Sequence, residues 1–329
     1  MRRFPVADSS IYVGKYTSSG DLYAAMSQED MTIYDSTDPE NPRKIKKIRG
    51  QNVNWTIADI DIDNNEELMI YSCLSTRVNI LDLKAGGHRH EPLNFNTGND
   101  DDDMYWGGDT VRILNAKFSG DGTEIVGGGF RGKVVIYHIP TRQVLNTING
   151  HTNDTNSVCF ADRQNSNLLF TGGDDCYIKA WDRRILGQGH TNPVGVFIGH
   201  EEGLANISTR NDGIYVASNG KDQQLKLWDI RRLAPPGFVH EPLRRQPGYD
   251  YRWEDYYNHQ KTKHPNDSSV YSFKGHKVGR TQIRCAFSPL HTTNSRYLYT
   301  GSADGVVHIY DILTCETVAK LKPSTHAHN

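Results

Sequence analysis

Short runs of apolar residues, each closed by an aromatic or aliphatic residue and then Asp or His, recur along the chain. They are MTIYD (Tyr34-Asp35), VNILD (Leu81-Asp82), VVIYH (Tyr137-His138), IKAWD (Trp181-Asp182), LKLWD (Trp228-Asp229) and VHIYD (Tyr310-Asp311). Runs of this length, rich in β-branched and aromatic residues, read as strands. Their closing positions are 47, 56, 44, 47 and 82 residues apart, so three intervals fall at 44–47 and two are that period plus an insertion. The fourth repeat predicts four strands, in SVCFAD, LLFTGG, YIKAWD and VGVFIG, and no amphipathic helix is expected outside the insertions. A four-stranded unit cannot bury both faces alone, so neighbouring units must stack.

The later repeats share a finer grammar. Gly150-His151, Gly199-His200 and Gly275-His276 each precede a strand pair, and between the strands lie FTGGDD, ASNGKD and YTGSAD. In each, a Ser or Thr stands four residues before an Asp, and that Asp six before an aromatic. The sets are His151/Thr171/Asp175/Trp181, His200/Ser218/Asp222/Trp228 and His276/Thr300/Asp304/Tyr310. A buried indole N–H needs an acceptor, a hydroxyl accepts and donates onward, and an imidazole carries the chain to a carboxylate. Such a network fixes one geometry only when every member is satisfied. The period and the sets resemble the WD40 family, whose structural tetrad has these four members. The expected fold is therefore all-β: a WD40 β-propeller with six recognisable four-stranded blades, in a single domain over residues 1–329. Seven blades are commonest in the family, so the expected parent has seven, the last missing from this chain or lying beyond it.

Two insertions interrupt the period. The first, NDDDDMYWGGD (99–109), follows the outer strand of the second blade. Its consecutive Asp residues favour solvent, and a contact with a basic partner through Tyr105 and Trp106 is the sharper alternative. The second (233–268) joins the third and fourth strands of the fifth blade and is too long for a hairpin loop. It should emerge on the opposite face from the acidic one, with Tyr249, Tyr251, Trp253, Tyr256 and Tyr257 either packed on the propeller side or part of a partner interface. The chain starts on an inner strand, SSIYVGKY, and stops at KLKPSTHAHN, an outer strand with the beginning of a further repeat.

Composition narrows the function classes. With 37 Lys+Arg against 39 Asp+Glu the net charge is −2, so no basic field recommends a nucleic-acid partner. No apolar run reaches the ~18 residues of a membrane span, and MRRFPVADSS lacks the apolar core of a signal peptide. Cys73, Cys159, Cys176, Cys285 and Cys315 are scattered with no C-x-x-C pair, which reads as reduced thiols in the nucleus or cytoplasm.

Several motifs tempt and fail. GGGFRGK (127–133) satisfies G-x-x-x-x-G-K, but Val134 stands where a magnesium-binding Ser or Thr belongs, and a strand follows rather than a helix; it reads as a β-turn. Asp59, Asp61 and Asp63 suggest a calcium loop, yet Asn64 replaces its glycine and Ile70 its glutamate, so a strand with one polar face is expected. His88 with His90, and His326 with His328, lack third and fourth ligands. No G-x-S-x-G elbow is present. No catalytic residue, metal or cofactor is expected, and the chain is read as a non-enzyme.

The most specific signal is a pair of equivalent windows, LFTGGDDCYIKAWDRR (169–184) and VASNGKDQQLKLWDIR (216–231), both ending W-D-x-R. They look like the DWD box of WD40 proteins that dock on the damaged-DNA-binding adaptor of cullin-4 ubiquitin ligases. Trp181, Asp182, Arg184, Trp228, Asp229 and Arg231 are then the adaptor-binding candidates; the alternative is that the two arginines pair with acidic neighbours on adjacent blades. GGDDCYIKAWDRR, SNGKDQQLKLWDIRR, DYRW (250–253) and TQIRCAFSPLHTT (281–293) are similar to the WD repeat-containing protein 23 family, from about Val158 to Val318 and more loosely before. The resemblance implies a non-catalytic substrate receptor that docks on the ligase adaptor and presents a protein target, and it implies a seventh repeat. The acidic insertion departs from the family pattern. A general WD40 scaffold in a chromatin or RNA-processing complex is the alternative.

Overall fold

All six runs found in the sequence become the third strand of a four-stranded antiparallel sheet whose strands follow in simple order. The computed structural model describes residues 11–53, 55–84, 89–96, 110–186, 191–238, 253–254, 256, 264–279 and 281–322. The first blade is β1 (Val13–Tyr16), β2 (Leu22–Met26), β3 (Asp30–Asp35) and β4 (Arg43–Arg49). The second is β5 (Asp59–Ile62), β6 (Leu68–Ser72), β7 (Arg77–Asp82) and β8 (His90–Asn94). The third is β9 (Ile113–Phe118), β10 (Glu124–Gly129), β11 (Lys133–His138) and β12 (Gln143–Asn149). Then come β13 (Thr155–Phe160), β14 (Leu168–Gly173), β15 (Ile178–Asp182) and β16 (Gly195–Phe197) in the fourth, and β17 (Leu204–Thr209), β18 (Tyr215–Gly220), β19 (Leu225–Asp229) and β20 (Tyr271–Phe273) in the fifth. The sixth is β21 (Cys285–Phe287), β22 (Tyr297–Thr300), β23 (Val307–Asp311) and β24 (Thr317–Leu321). Among the described residues these six four-stranded sheets are the all-β propeller blades that the repeat predicts.

Contacts divide the chain into two compact units, Met1–Ile148 and Asn149–Asn329. In the first, Met26, Met31, Ile57, Ile60, Met69 and Tyr71 fill the space between the first two blades, and Ile70, Val78, Phe95, Ile113 and Ile125 that between the second and third. In the second unit, Phe170, Phe197, Leu204, Ile207 and Trp228 join the fourth blade to the fifth, and Leu225, Phe273, Leu298 and Tyr310 the fifth to the sixth. Each blade thus lends one apolar face to its neighbour, which is what a single sheet cannot supply for itself.

Polar side chains also stitch blades together. The Asp59-Ile60-Asp61 alternation is a strand, β5, but its polar face does not meet water. Asp59 Oδ2 accepts from Asn115 Nδ2 (2.6 Å), the Ala116 amide (3.1 Å) and Lys117 Nζ (2.5 Å), and Asp61 Oδ2 accepts from the Phe118 amide at 3.0 Å. GGGFRGK is a strand, one tight turn at Phe130–Gly132 and a second strand, so it offers no helix end to a phosphate. Between β21 and β22 a single helical turn, α1 (Leu290–Thr293), appears that the apolar pattern does not announce.

Candidate functional site

Two of the three polar sets come together as hydrogen-bonded chains. In the fourth blade Trp181 Nε1–H donates to Thr171 Oγ1 at 2.8 Å, Thr171 Oγ1 lies 2.7 Å from His151 Nε2, and His151 Nδ1 lies 2.7 Å from Asp175 Oδ1. An indole N–H only donates and a carboxylate only accepts, so the threonine hydroxyl donates to Nε2 and Nδ1–H donates to Asp175. The fifth blade repeats this, with Trp228 Nε1 to Ser218 Oγ at 2.7 Å, Ser218 Oγ to His200 Nε2 at 2.7 Å and His200 Nδ1 to Asp222 Oδ2 at 3.0 Å. The glycines ahead of each Asp make room for the imidazole. A Cβ on Gly173 would lie 2.7 Å from His151 Cγ, and one on Gly220 2.4 Å from His200 Nδ1.

These groups are buried, and their electrostatics are those of a satisfied interior network. Burial alone would raise the Asp175 pKa, but the hydrogen bond from His151, with Lys179 Nζ at 3.2 Å, outweighs it and holds the carboxyl at about 2. Asp222 is likewise lowered, burial being outweighed by His200 and Lys226. Every donor has its acceptor, and the arrangement serves the blade.

The third set departs from the expected tetrad. His276, Thr300 and Tyr310 are buried, but Asp304 is exposed and accepts from the Val306 amide at 3.2 Å in its own turn. His276 Nδ1 lies 3.1 Å from Tyr310 Oη, and Nε2 lies 2.8 Å from Asn219 Oδ1 of the fifth blade. Thr300 Oγ1 accepts from Asn219 Nδ2 at 3.0 Å. The cause is the aromatic. A tyrosine hydroxyl at the far end of its ring can donate as well as accept, so it meets the imidazole directly and displaces both the threonine and the aspartate from it. Burial, reinforced by nearby His308, lowers the His276 pKa to about 4.

At the end of the fourth, fifth and sixth blades where the third strand finishes, the Asp that follows the aromatic organises the turn. Asp182 Oδ1 accepts from the Arg184 amide at 3.0 Å, and its carboxylate takes the Arg184 side chain at Nε (2.9 Å) and Nη2 (2.6 Å). Asp229 does the same for Arg231, with the amide at 3.0 Å, Nε at 2.8 Å and Nη2 at 2.5 Å. The partner of each arginine is thus the Asp two residues upstream in its own blade. Both side chains remain about two-thirds exposed, at 69% and 68%, while the two carboxylates are mostly covered. A planar five-donor fork, held by its Nε edge and exposed, has already lost much of the rotamer freedom that binding would cost.

Sequence reasoning missed a third fork. In the sixth blade the position of Arg184 and Arg231 holds Leu313, whose amide donates to Asp311 Oδ1 at 2.8 Å. The guanidinium comes instead from Arg296, with Nε and Nη2 at 2.9 and 2.6 Å from Asp311 Oδ2. No fixed spacing announces it. The signal is that Arg296 stands just before β22, whose first residue, Tyr297, pairs with Asp311.

The second insertion leaves its blade at this same end. Its first residues run along the fourth blade, Ala234 and Val196 exchanging amide hydrogen bonds of 2.9 Å. Tyr256 Oη donates to Glu201 Oε2 at 3.2 Å, whereas Trp253 is 74% exposed. Strand β16 runs away from the Asp182 end, so Glu201, which follows it, lies at the opposite end of the blade. The insertion is therefore not confined to the end from which it emerges. Tyr249, Tyr251 and Tyr257 lie outside the described residues, as do the acidic 99–109 segment, His88, His326 and His328. All five cysteines are free, and among the described residues no cluster of three or more His, Cys, Asp or Glu could hold a metal ion. Among the same residues no helix is long and apolar enough to cross a membrane.

The blades and their tetrads define a class, the WD40-repeat propellers, and the profile described as "WD domain, G-beta repeat" matches residues 142–182, 191–229 and 267–311. The LEC14B protein of Lithospermum erythrorhizon is 35% identical over 342 aligned positions, covering 98% of this chain and 69% of that protein. A LEC14B homolog of Prunus armeniaca is 36% identical, covering 95% of this chain and 66% of the relative. The DDB1- and CUL4-associated factor 11 homolog of Caenorhabditis elegans is 31% identical, covering 98% of this chain and 57% of the relative. The chain belongs to the family of WD40-repeat proteins that includes the LEC14B protein, is similar to the DDB1- and CUL4-associated factor 11 homolog, and spans between roughly half and two-thirds of these relatives' lengths.

Proposed function

We propose that this chain is the propeller of a substrate receptor for a cullin-4 ubiquitin ligase, working in the nucleus or cytoplasm. The observation that carries the reading is the pair of Asp-pinned, exposed guanidinium forks, Arg184 and Arg231, at the same end of adjacent blades. The likeness across the whole chain to a protein named as a CUL4-associated factor supports it. That end would dock on the ligase adaptor, which offers carboxylates or carbonyls to the forks, and another surface would hold a target protein. The chain itself would do no bond chemistry. It would raise the target's effective concentration at the ubiquitin-transferring subunits.

Replacing both Arg184 and Arg231 with Ala tests this in cells. The adaptor should no longer co-purify with the receptor, while the folded yield of the variant stays at the wild-type level. Undiminished recovery of the adaptor would overturn the reading, and a stable complex that contains no ligase adaptor would favour a general scaffold in a chromatin or RNA-processing assembly.

A further inference from the structure

We propose that Arg296, held on Asp311, is a third docking point for the same ligase adaptor, so that three successive blades present a guanidinium at one end. This rests on the reading of Arg184 and Arg231 given above, and it extends the docking surface to a blade with no W-D-x-R sequence.

The equivalence comes from strand register. The first pair of the second and third strands is Leu168 with Asp182, Tyr215 with Asp229 and Tyr297 with Asp311. The residue after each Asp donates its amide to the residue just before strand two: Arg183 to Asn167 at 2.8 Å, Ile230 to Ile214 at 3.0 Å and Ile312 to Arg296 at 3.1 Å. Arg296 therefore occupies the place of Asn167 and Ile214, across the turn from the place of Arg184 and Arg231. From there its side chain reaches the same carboxylate through the same Nε and Nη2 atoms. The two arrangements are alternative ways of fixing a fork on the Asp that ends strand three.

The surroundings suit a contact. Asp311 is nearly covered, at 4%, while the Arg296 side chain is 44% exposed and lies 5.6 Å from the centre of the Tyr297 ring. Leu313, two residues after Asp311, is 73% exposed. In the fourth blade the arginine itself fills the place that Leu313 takes here, and nearby Leu186 is buried. An exposed arginine held in one geometry on a covered carboxylate, with an aromatic ring close by, is the kind of residue that anchors interfaces, where Arg and Tyr are enriched among the energetically dominant positions. In the first blade the residue two after the Asp is Thr37, whose amide and hydroxyl donate to Asp35 Oδ1 at 3.0 and 2.6 Å, and in the third the Asp is replaced by His138, whose Nδ1 lies 2.8 Å from Thr141 Oγ1.

The test measures binding of the full chain to the purified adaptor alone, by interferometry, together with thermal unfolding. Arg296→Ala is expected to weaken binding about tenfold with an unchanged unfolding midpoint. Leu313→Arg placed in the Arg296→Ala background moves the fork back to the position of the other two blades and is expected to restore binding. If Arg296→Ala binds like the wild type while the Arg184/Arg231 double variant does not, this inference is overturned and the receptor reading stands. If the double variant also binds normally, the reading beneath it fails. A lowered midpoint in Arg296→Ala with no rescue by Leu313→Arg would make Arg296 a structural staple and overturn the docking role.

Discussion

Thr171 and Ser218 each stand between an indole and an imidazole, and the whole chain of donors depends on a hydroxyl at that point. Thr171→Val keeps the shape and removes both hydrogen bonds, stranding a buried N–H and a buried ring nitrogen. It should cost about 2–4 kcal/mol of stability, measured by urea unfolding, whereas Ser218→Thr should cost well under half of that. The titrating groups give a pH signature. His276 has a folded pKa of about 4, below its ordinary 6.5, so the unfolded chain binds the extra proton first. Its contribution is fully present above pH 6.5 and is lost as pH falls towards 4, about 3 kcal/mol in all. Asp175, at about 2, keeps its contribution until pH falls below its ordinary 3.8. Hydrogen exchange at pH 5 should therefore show β21–β23 opening more readily than at pH 7 while β13–β15 change little, and His276→Gln should remove the difference. Equal acid sensitivity of the two blades would contradict this account. At this scale the sequence was legible where the aromatic is Trp and misleading where it is Tyr. The spacing of Thr300, Asp304 and Tyr310 matches the other sets, but spacing does not record that a phenol reaches further than an indole and can accept as well as donate.

The elements follow from the same residues. Each of the six pairs read from the sequence, five closing in Asp and one in His, ends a third strand: β3 at Asp35, β7 at Asp82, β11 at His138, β15 at Asp182, β19 at Asp229 and β23 at Asp311. That ending has a physical cause in the last two blades with W-D-x-R: the carboxylate caps the turn by accepting the amide two residues on, which stops the ladder there. The strand before it is set by the histidine. Gly220→Ala would place a Cβ against His200 and push the imidazole off Asp222, so it should lower the free energy of unfolding by about 2 kcal/mol or more. Gly237→Ala, where no neighbouring atom lies within 4 Å, should fall within about 0.5 kcal/mol of wild type in the same denaturation series. The short strands β20 and β21 and the turn α1 were harder to read, because three or four residues carry too little periodicity to stand out. The Arg296–Asp311 fork was invisible for a different reason: it joins two strands across a turn, and pairing register sets it rather than any local spacing.

For the whole chain, the repeat reveals the six blades found among the described residues and their four-stranded make-up, because each blade reuses one pattern of strands closed by Asp or His. Balanced charge and scattered cysteines do not by themselves choose a function. The choice comes from one end of three blades, where exposed arginines sit on covered carboxylates. Docking through these forks should be salt-sensitive, and raising ionic strength from ~50 to ~200 mM should slow association more than it speeds dissociation, as stopped-flow mixing with the adaptor would show. The most direct measurement is hydrogen–deuterium exchange of the full chain with and without the purified adaptor. The account predicts protection in peptides covering residues 182–186, 229–233 and 311–315, at the end where the third strands finish. Protection confined to the opposite end, in peptides covering 174–176, 201–203 and 222–224, or no protection at a concentration where the adaptor is bound, would contradict it.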